Sequence, residues 1–175
     1  KLGLNVRPAE TTGELREWYE LYLETMRRNT IPPRSFRFFE SLWHFLRPAG
    51  LLQLLLAQKR TAGKERMIAG SVLLMFGKTV TFCFSGCRKR DLPLHANDLI
   101  HWHAIHQACR ERYHFYDIGE VSEDHPQLAQ FKRKWTPQCT VLFRYCSDSA
   151  DGLDPTAPSL AKRFGGLIWR RLPLM

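Results

Sequence analysis

Apolar residues recur at helical spacing near the start of the chain, switch to strand patterns in the middle, and then return to helices. Leu15, Trp18, Tyr19, Tyr22 and Met26 share one face of a helix beginning near Glu14, with Thr11 or Thr12 as its cap. Arg27 and Arg28 suit the negative end of its dipole, and Ile31-Pro32-Pro33 breaks it. Ser35 caps a second helix with Phe38, Phe39, Leu42, Phe45 and Leu46 as its stripe, closed by Pro48 and Gly50. Leu51–Gln58 is almost wholly apolar, as in a strand covered on both faces. Lys59–Arg66 reads as a polar turn. Met67–Phe76 and Thr79–Ser85 are β-rich and joined by Gly77-Lys78, a hairpin connection.

Gly86 to Ala96 reads as an irregular loop carrying Arg88, Lys89, Arg90 and Pro93. Asn97 or Asp98 then caps a helix to about Arg112, with Leu99, Trp102, Ile105, Cys109 and Tyr113 expected on its inner face. His114–Gly119 predicts a strand. Asp124 caps a further helix with Pro126 in its first turn, and Cys139–Cys146 predicts a last strand. The order α-α-β-β-β-α-β-α-β fits an α/β domain with a mixed sheet and helices on both faces.

The 175 residues suit one domain over 1–146, followed by a Ser/Asp/Gly/Pro-rich linker and a short basic helix, Leu160–Arg171. That helix either packs back on the domain or touches a membrane surface through Leu167, Ile168 and Trp169 beside Arg170 and Arg171. No apolar run is long enough to span a bilayer. Five cysteines match no disulfide framework or zinc ribbon, which fits reduced thiols in a cytoplasmic protein. The start at Lys1, without a Met, reads as the excised part of a longer protein. The net charge of +9 favours anionic partners, and says nothing of fold.

Three constellations could carry chemistry. Arg88, Lys89 and Arg90 stand in a loop that opens into a helix N-terminus, a setting suited to an anion, against the plainer reading of a solvated basic loop. Asp117 interrupts an apolar strand, which costs free energy unless it is paired or at an edge, and Gly119 permits a sharp turn or close approach before Glu120. In the Pro126–Trp135 helix, Leu128, Phe131 and Trp135 define the buried face. Lys132 and Lys134 flank that stripe and Arg133 points to water. His103 and His106 share a helix face, but nothing completes a metal set, so no metal is expected.

The run from Pro93 to Trp135 resembles the Fem-type branch of the GNAT acyltransferase superfamily. The matching pieces are Asn97-Asp98-Leu99 with Trp102, the Tyr116-Asp117-Ile118-Gly119 strand, and Leu128 through Phe131-Lys132-Arg133-Lys134-Trp135. Leu15 to Phe39 fits the two helices that such domains place after a first strand, here Gly3–Arg7. The resemblance implies a GNAT-like, mostly antiparallel sheet and transfer of an acyl or aminoacyl group to an amine, in cell-wall or exopolysaccharide biosynthesis. It implies catalytic roles for Asp117, Glu120, Lys132 and Tyr116, and substrate binding by Lys134, Trp102, Phe131, Arg88 and Arg90. The donor is acyl-CoA or aminoacyl-tRNA, and a second GNAT-like domain is expected upstream. Members that use acetyl-CoA carry an Arg/Gln-x-x-Gly-x-Gly/Ala loop; here Arg90-Asp91-Leu92-Pro93-Leu94-His95-Ala96 lacks both glycines, and Pro93 removes a donor N–H. The alternatives are a non-catalytic structural half of a tandem protein and a nucleic-acid-binding domain resting on charge.

Overall fold

The computed structural model describes residues 3–61, 63–121, 126–135 and 138–143. Five strands form one sheet in chain order: β1 (Leu4–Pro8), β2 (Leu52–Thr61), β3 (Lys64–Phe76), β4 (Thr79–Cys87) and β5 (Phe115–Asp117). β1 to β4 are antiparallel to their neighbours, and β5 alone runs parallel to β4. Helices α1 (Thr12–Arg28) and α2 (Phe36–Leu46) precede β2; α3 (Ala96–Arg110) and α4 (Pro126–Arg133) flank β5. This is the mixed, mostly antiparallel α/β sheet expected. Among the described residues no helix is long and apolar enough to cross a membrane, and no group of three or more His, Cys, Asp or Glu is placed to hold a metal ion.

The unbroken apolar run of β2 serves two cores. Leu54 and Leu56 pack with Leu15, Trp18, Leu21 and Phe39 of α1 and α2, whereas Leu55 and Ala57 pack with Ile100, Ala104 and Ala108 of α3. Thr11 caps α1 with a complete capping box: its side chain accepts from Glu14 N–H, and the Glu14 carboxylate accepts from Thr11 N–H at 3.0 Å. Ser35 caps α2 as expected.

Several boundaries differ from expectation. Lys59–Arg66 is mostly paired strand, since β2 and β3 continue past the core with Lys59 opposite Arg66 and Arg60 opposite Glu65. The inner face of α3 is Ala96, Ile100, His101, Ala104 and Ala108; Trp102 is 62% exposed and Cys109 is exposed. Alanines bring a helix close to a sheet, and a search for large apolar residues passes them over. α3 is capped by His95 in the left-handed region (φ 52°), not by Asn97 or Asp98. On α4, Leu128 is exposed rather than buried. β5 spans three residues of the expected His114–Gly119. Gln138–Phe143 is exposed and forms no strand, because a three-residue β5 offers little edge to pair with. Residues 144–146, the Asp124 cap, the linker and the basic C-terminal helix lie outside the described residues.

Candidate active site

β4 positions the site. Leu73 of β3 faces Phe82 and Val72 faces Phe84, so Cys83 is a bulged residue with no counterpart on β3. On its other side β4 pairs with β5 at Thr79–Phe115, Val80–Tyr116 and Thr81–Asp117 only. β4 then continues through Phe82–Cys87 without β5, and the two strands part at the bulge.

The chain leaving β5 is tied down at that fork. Asp117 is exposed, and its Oδ1 accepts the Gly119 N–H at 2.7 Å. Gly119 takes φ +74°, where a side chain is strained; a Cβ there would lie 3.7 Å from Lys132 Nζ and 4.0 Å from the Phe82 carbonyl oxygen. Lys132 Nζ donates to the carbonyl oxygens of Gly119 (2.9 Å) and Glu120 (2.6 Å). Burial pushes the Lys132 amine below its ordinary range, partly offset by Asp117 and Glu120.

Beneath the fork lies His101, 2% exposed. Its ring stacks on Phe82 (4.1 Å between centroids) and on Trp135 (5.4 Å), with Phe131 at 5.6 Å. His101 Nδ1 and the Tyr116 hydroxyl are hydrogen-bonded at 2.9 Å, the donor being set by the imidazole tautomer. Burial lowers the His101 pKa to about 4, with Lys134 and Lys132 adding to the shift and Asp98 opposing it. Burial likewise raises the Tyr116 hydroxyl, so both groups are neutral at pH 7.

The far end of β4 is gripped by α1. A Cβ at Gly86 would come within 2.5 Å of the Tyr22 backbone nitrogen, so only glycine lets strand and helix touch. Thr25 Oγ1 accepts the Cys87 N–H (2.9 Å) and donates to the Cys87 carbonyl (3.2 Å). Glu24 accepts the Lys89 N–H at 2.6 Å. The next residues, Lys89–Leu94, form a 3-10 turn fastened to β3 by Arg66, whose guanidinium meets the buried Asp91 carboxylate at 2.7 and 2.9 Å. That guanidinium holds Asp91 below the usual carboxylate range. Between α1 and the turn lies an open depression of about 540 Å³ lined by Glu24, Arg88, Lys89, Arg90 and Pro93.

Two clusters thus sit at opposite ends of the free stretch of β4. Tyr116, Asp117, Glu120, Phe131 and Lys132 gather at the fork. Arg88 and Arg90 stand at the depression. Lys134 joins the cluster at the fork, with Nζ 2.7 Å from Asp98 in the first turn of α3 and 4.4 Å from the Phe131 ring centre. Trp102 lies on the solvent side of α3. Sequence reasoning missed His101 and Cys83. The first left a trace, a histidine at a helix position that recurs with buried alanines; the bulge left none.

A family model described as an acetyltransferase (GNAT) domain matches residues 1–133. No curated protein matches by sequence. Among solved structures, FemX is similar with a TM-score of 0.69 at 15% identity, over 77% of this chain and 50% of that one. The chain therefore spans half the length of FemX. An aminoglycoside acetyltransferase from an uncultured soil metagenomic sample, in complex with sisomicin, is similar with a TM-score of 0.62 at 8% identity, over 83% and 97% of the two chains. Spermidine N-acetyltransferase from Vibrio cholerae, in complex with CoA and spermine, reaches 0.57 at 16% identity over 77% and 80%. At these identities the likeness is one of fold.

Proposed function

Because the chain belongs to the GNAT acetyltransferase domain family, we propose that it moves an acyl group from a phosphate-bearing carrier to an amine at the fork between β4 and β5. The observation that carries this reading is the arrangement along β4: a bulge facing a gap at one end and a basic depression at the other. The five residue steps from Cys83 to Arg88 span roughly 17 Å at strand rise. A donor with its phosphates in the depression and its carbonyl at the bulge needs a long arm between them. Acyl-CoA has such an arm. In aminoacyl-tRNA the nearest phosphate belongs to the nucleotide that carries the acyl group, so acyl-CoA is the donor this spacing favours. Its phosphates would meet the side chains of Arg88, Lys89 and Arg90, since Pro93 and the missing glycines leave few loop N–H groups to cradle them.

In this reading the amine attacks the acyl carbonyl carbon, a backbone N–H at the Cys83 bulge stabilises the oxyanion, and the carbon–sulfur bond breaks to release the carrier thiol. Asp117 or Glu120 takes the amine proton. Lys132 holds the Gly119–Glu120 segment and places its positive charge beside the developing anion. Phe131 and Lys134 complete the wall; Trp102 has no place in it. A second GNAT-like domain, and with it a cell-wall or polysaccharide acceptor, are further parts of the proposal.

The test is thiol release from acetyl-CoA with a panel of polyamine, amino-sugar and lysine-bearing acceptors, alongside thermal shift with acetyl-CoA and with aminoacyl-tRNA. Expected are stabilisation by acetyl-CoA, amine-dependent release, and an Arg88→Ala/Arg90→Ala variant with donor affinity about tenfold weaker. Asp117→Asn and Glu120→Gln together should cut turnover by about a hundredfold. Stabilisation by aminoacyl-tRNA alone would replace the donor. Silence from both donors would overturn the reading.

A further inference from the structure

His101 belongs to a different class from the other histidines of α3. It is the one polar side chain in a helix face otherwise made of Ala96, Ile100, Ala104 and Ala108, and it touches β4, β5 and α4 at once. Its contacts fall where the strands part. Thr81–Asp117 is the last β4–β5 pair, Phe82 is the next residue of β4, and Tyr116 is the next-to-last residue of β5, opposite Val80. The imidazole stacks on Phe82 and bonds to Tyr116, while Trp135 stacks on it and Phe131 abuts it. Lys132, next in sequence to Phe131, is the residue that reaches over to Gly119 and Glu120.

We propose that His101 is a positioning residue: a flat wedge beneath the fork that sets the spacing of β4 and β5 and, through Tyr116, Phe131 of α4 and Trp135 just after it, seats Lys132 against the chain leaving β5. An alanine here would fill neither gap, and a plain aromatic would stack but leave the Tyr116 hydroxyl buried without a partner. A flat ring with a hydrogen-bonding edge does both. The His101–Tyr116 bond therefore acts as one unit, and its loss from either side should displace the same segment.

The kinetic arm of the test rests on the acyl-transfer reading; the exchange arm does not. His101→Phe and Tyr116→Phe each remove the bond and keep a ring. With acetyl-CoA and the best amine acceptor, each should lower kcat by about tenfold with donor KM within about twofold of wild type, because the basic depression is untouched. The double variant should be no slower than the slower single, and its thermal stability should exceed that of His101→Phe. Amide hydrogen exchange over residues 115–121 should quicken about tenfold in both single variants relative to β2. Losses in kcat that multiply, or a change in KM alone, overturn the proposal. A wild-type protein without transferase activity sinks the acyl-transfer reading, and exchange then decides this one: unchanged rates at 115–121 overturn it. If His101→Phe fails to fold, Tyr116→Phe carries the same tests.

Discussion

The molecule contains two aromatic clusters, on opposite faces of the sheet, and they are built to different ends. Under α1 and α2, Trp18, Tyr22, Phe39 and Phe84 meet edge to face or stacked, with centroids 4.9 to 5.6 Å apart for the closest pairs. Every polar atom there is matched to backbone: Trp18 Nε1–H donates to the Gly70 carbonyl (2.9 Å), Tyr19 OH to the Arg34 carbonyl (3.0 Å), and the Arg34 N–H donates to Tyr22 OH (3.1 Å). The cluster around His101 instead closes on itself, side chain to side chain, around a group that titrates. The first fastens helices to a sheet by burial and by bonds to backbone, with no titrating histidine among its rings. The second makes the geometry of the fork depend on one imidazole staying uncharged.

Breaking the first cluster should have the largest effect. Trp18→Ala empties a fully buried site and should cost about 3–5 kcal/mol by chemical denaturation. The second cluster should reveal itself through pH. The unfolded His101 titrates near 6.5 and the folded one at about 4. Between those values the unfolded state binds more protons, so the stabilisation is complete above pH 6.5, is lost as pH falls, and is gone below 4. Its size is about 3 kcal/mol. Denaturation curves across this window should slope for wild type and flatten for His101→Phe; equal slopes would deny the imidazole its role.

A control for acid in general stands beside the first cluster. At Glu14 burial works to raise the carboxylate pKa, but N–H groups of Glu10 and Thr11 and the Arg7 guanidinium outweigh it and bring it to about 2. Its folded value lies below the ordinary 4.5, so its contribution is present above pH 4.5 and is lost as pH falls towards 2. Glu14→Gln keeps the capping box but removes the charge paired with Arg7, and should cost about 1 kcal/mol, with the wild-type advantage vanishing only in that lower window. Regional hydrogen exchange should therefore show the fork loosening at a higher pH than the start of α1. The smallest effect expected is from Arg133→Ala, which should change both stability and turnover by less than about 0.5 kcal/mol, since Arg133 points to water.

Much of the first cluster was legible in the sequence. Its large apolar residues recur at helical spacing, and Thr11 and Ser35 announce the helix starts. The second was legible only in part. Asp117, Gly119, Phe131 and Lys132 stood out because each breaks a local pattern. His101 did not, because the buried face of α3 is made of alanines whose small size is the signal, and Trp102 drew attention to the wrong side. Nor could the Cys83 bulge be read, since an extra residue in a strand leaves the apolar alternation of Val80, Phe82 and Phe84 looking regular while its partner strand slips by one. The acidic residue in the basic turn was equally opaque: Asp91 is answered by Arg66, 25 positions earlier.

That last pair has a kinetic consequence. Asp91 would neutralise its neighbours if it were free, but its charge is already spent on Arg66, and Arg90 approaches it only to 3.9 Å. Arg88, Lys89 and Arg90 thus present a net positive field at the mouth of the depression, with Glu24 as the acidic side chain in its lining, on a chain of net charge +9. Such a field speeds the arrival of an anion more than it tightens the final complex. Added salt should slow capture steeply at first, level off once the screening length falls below about 8 Å, and leave the slow steps after capture nearly unchanged.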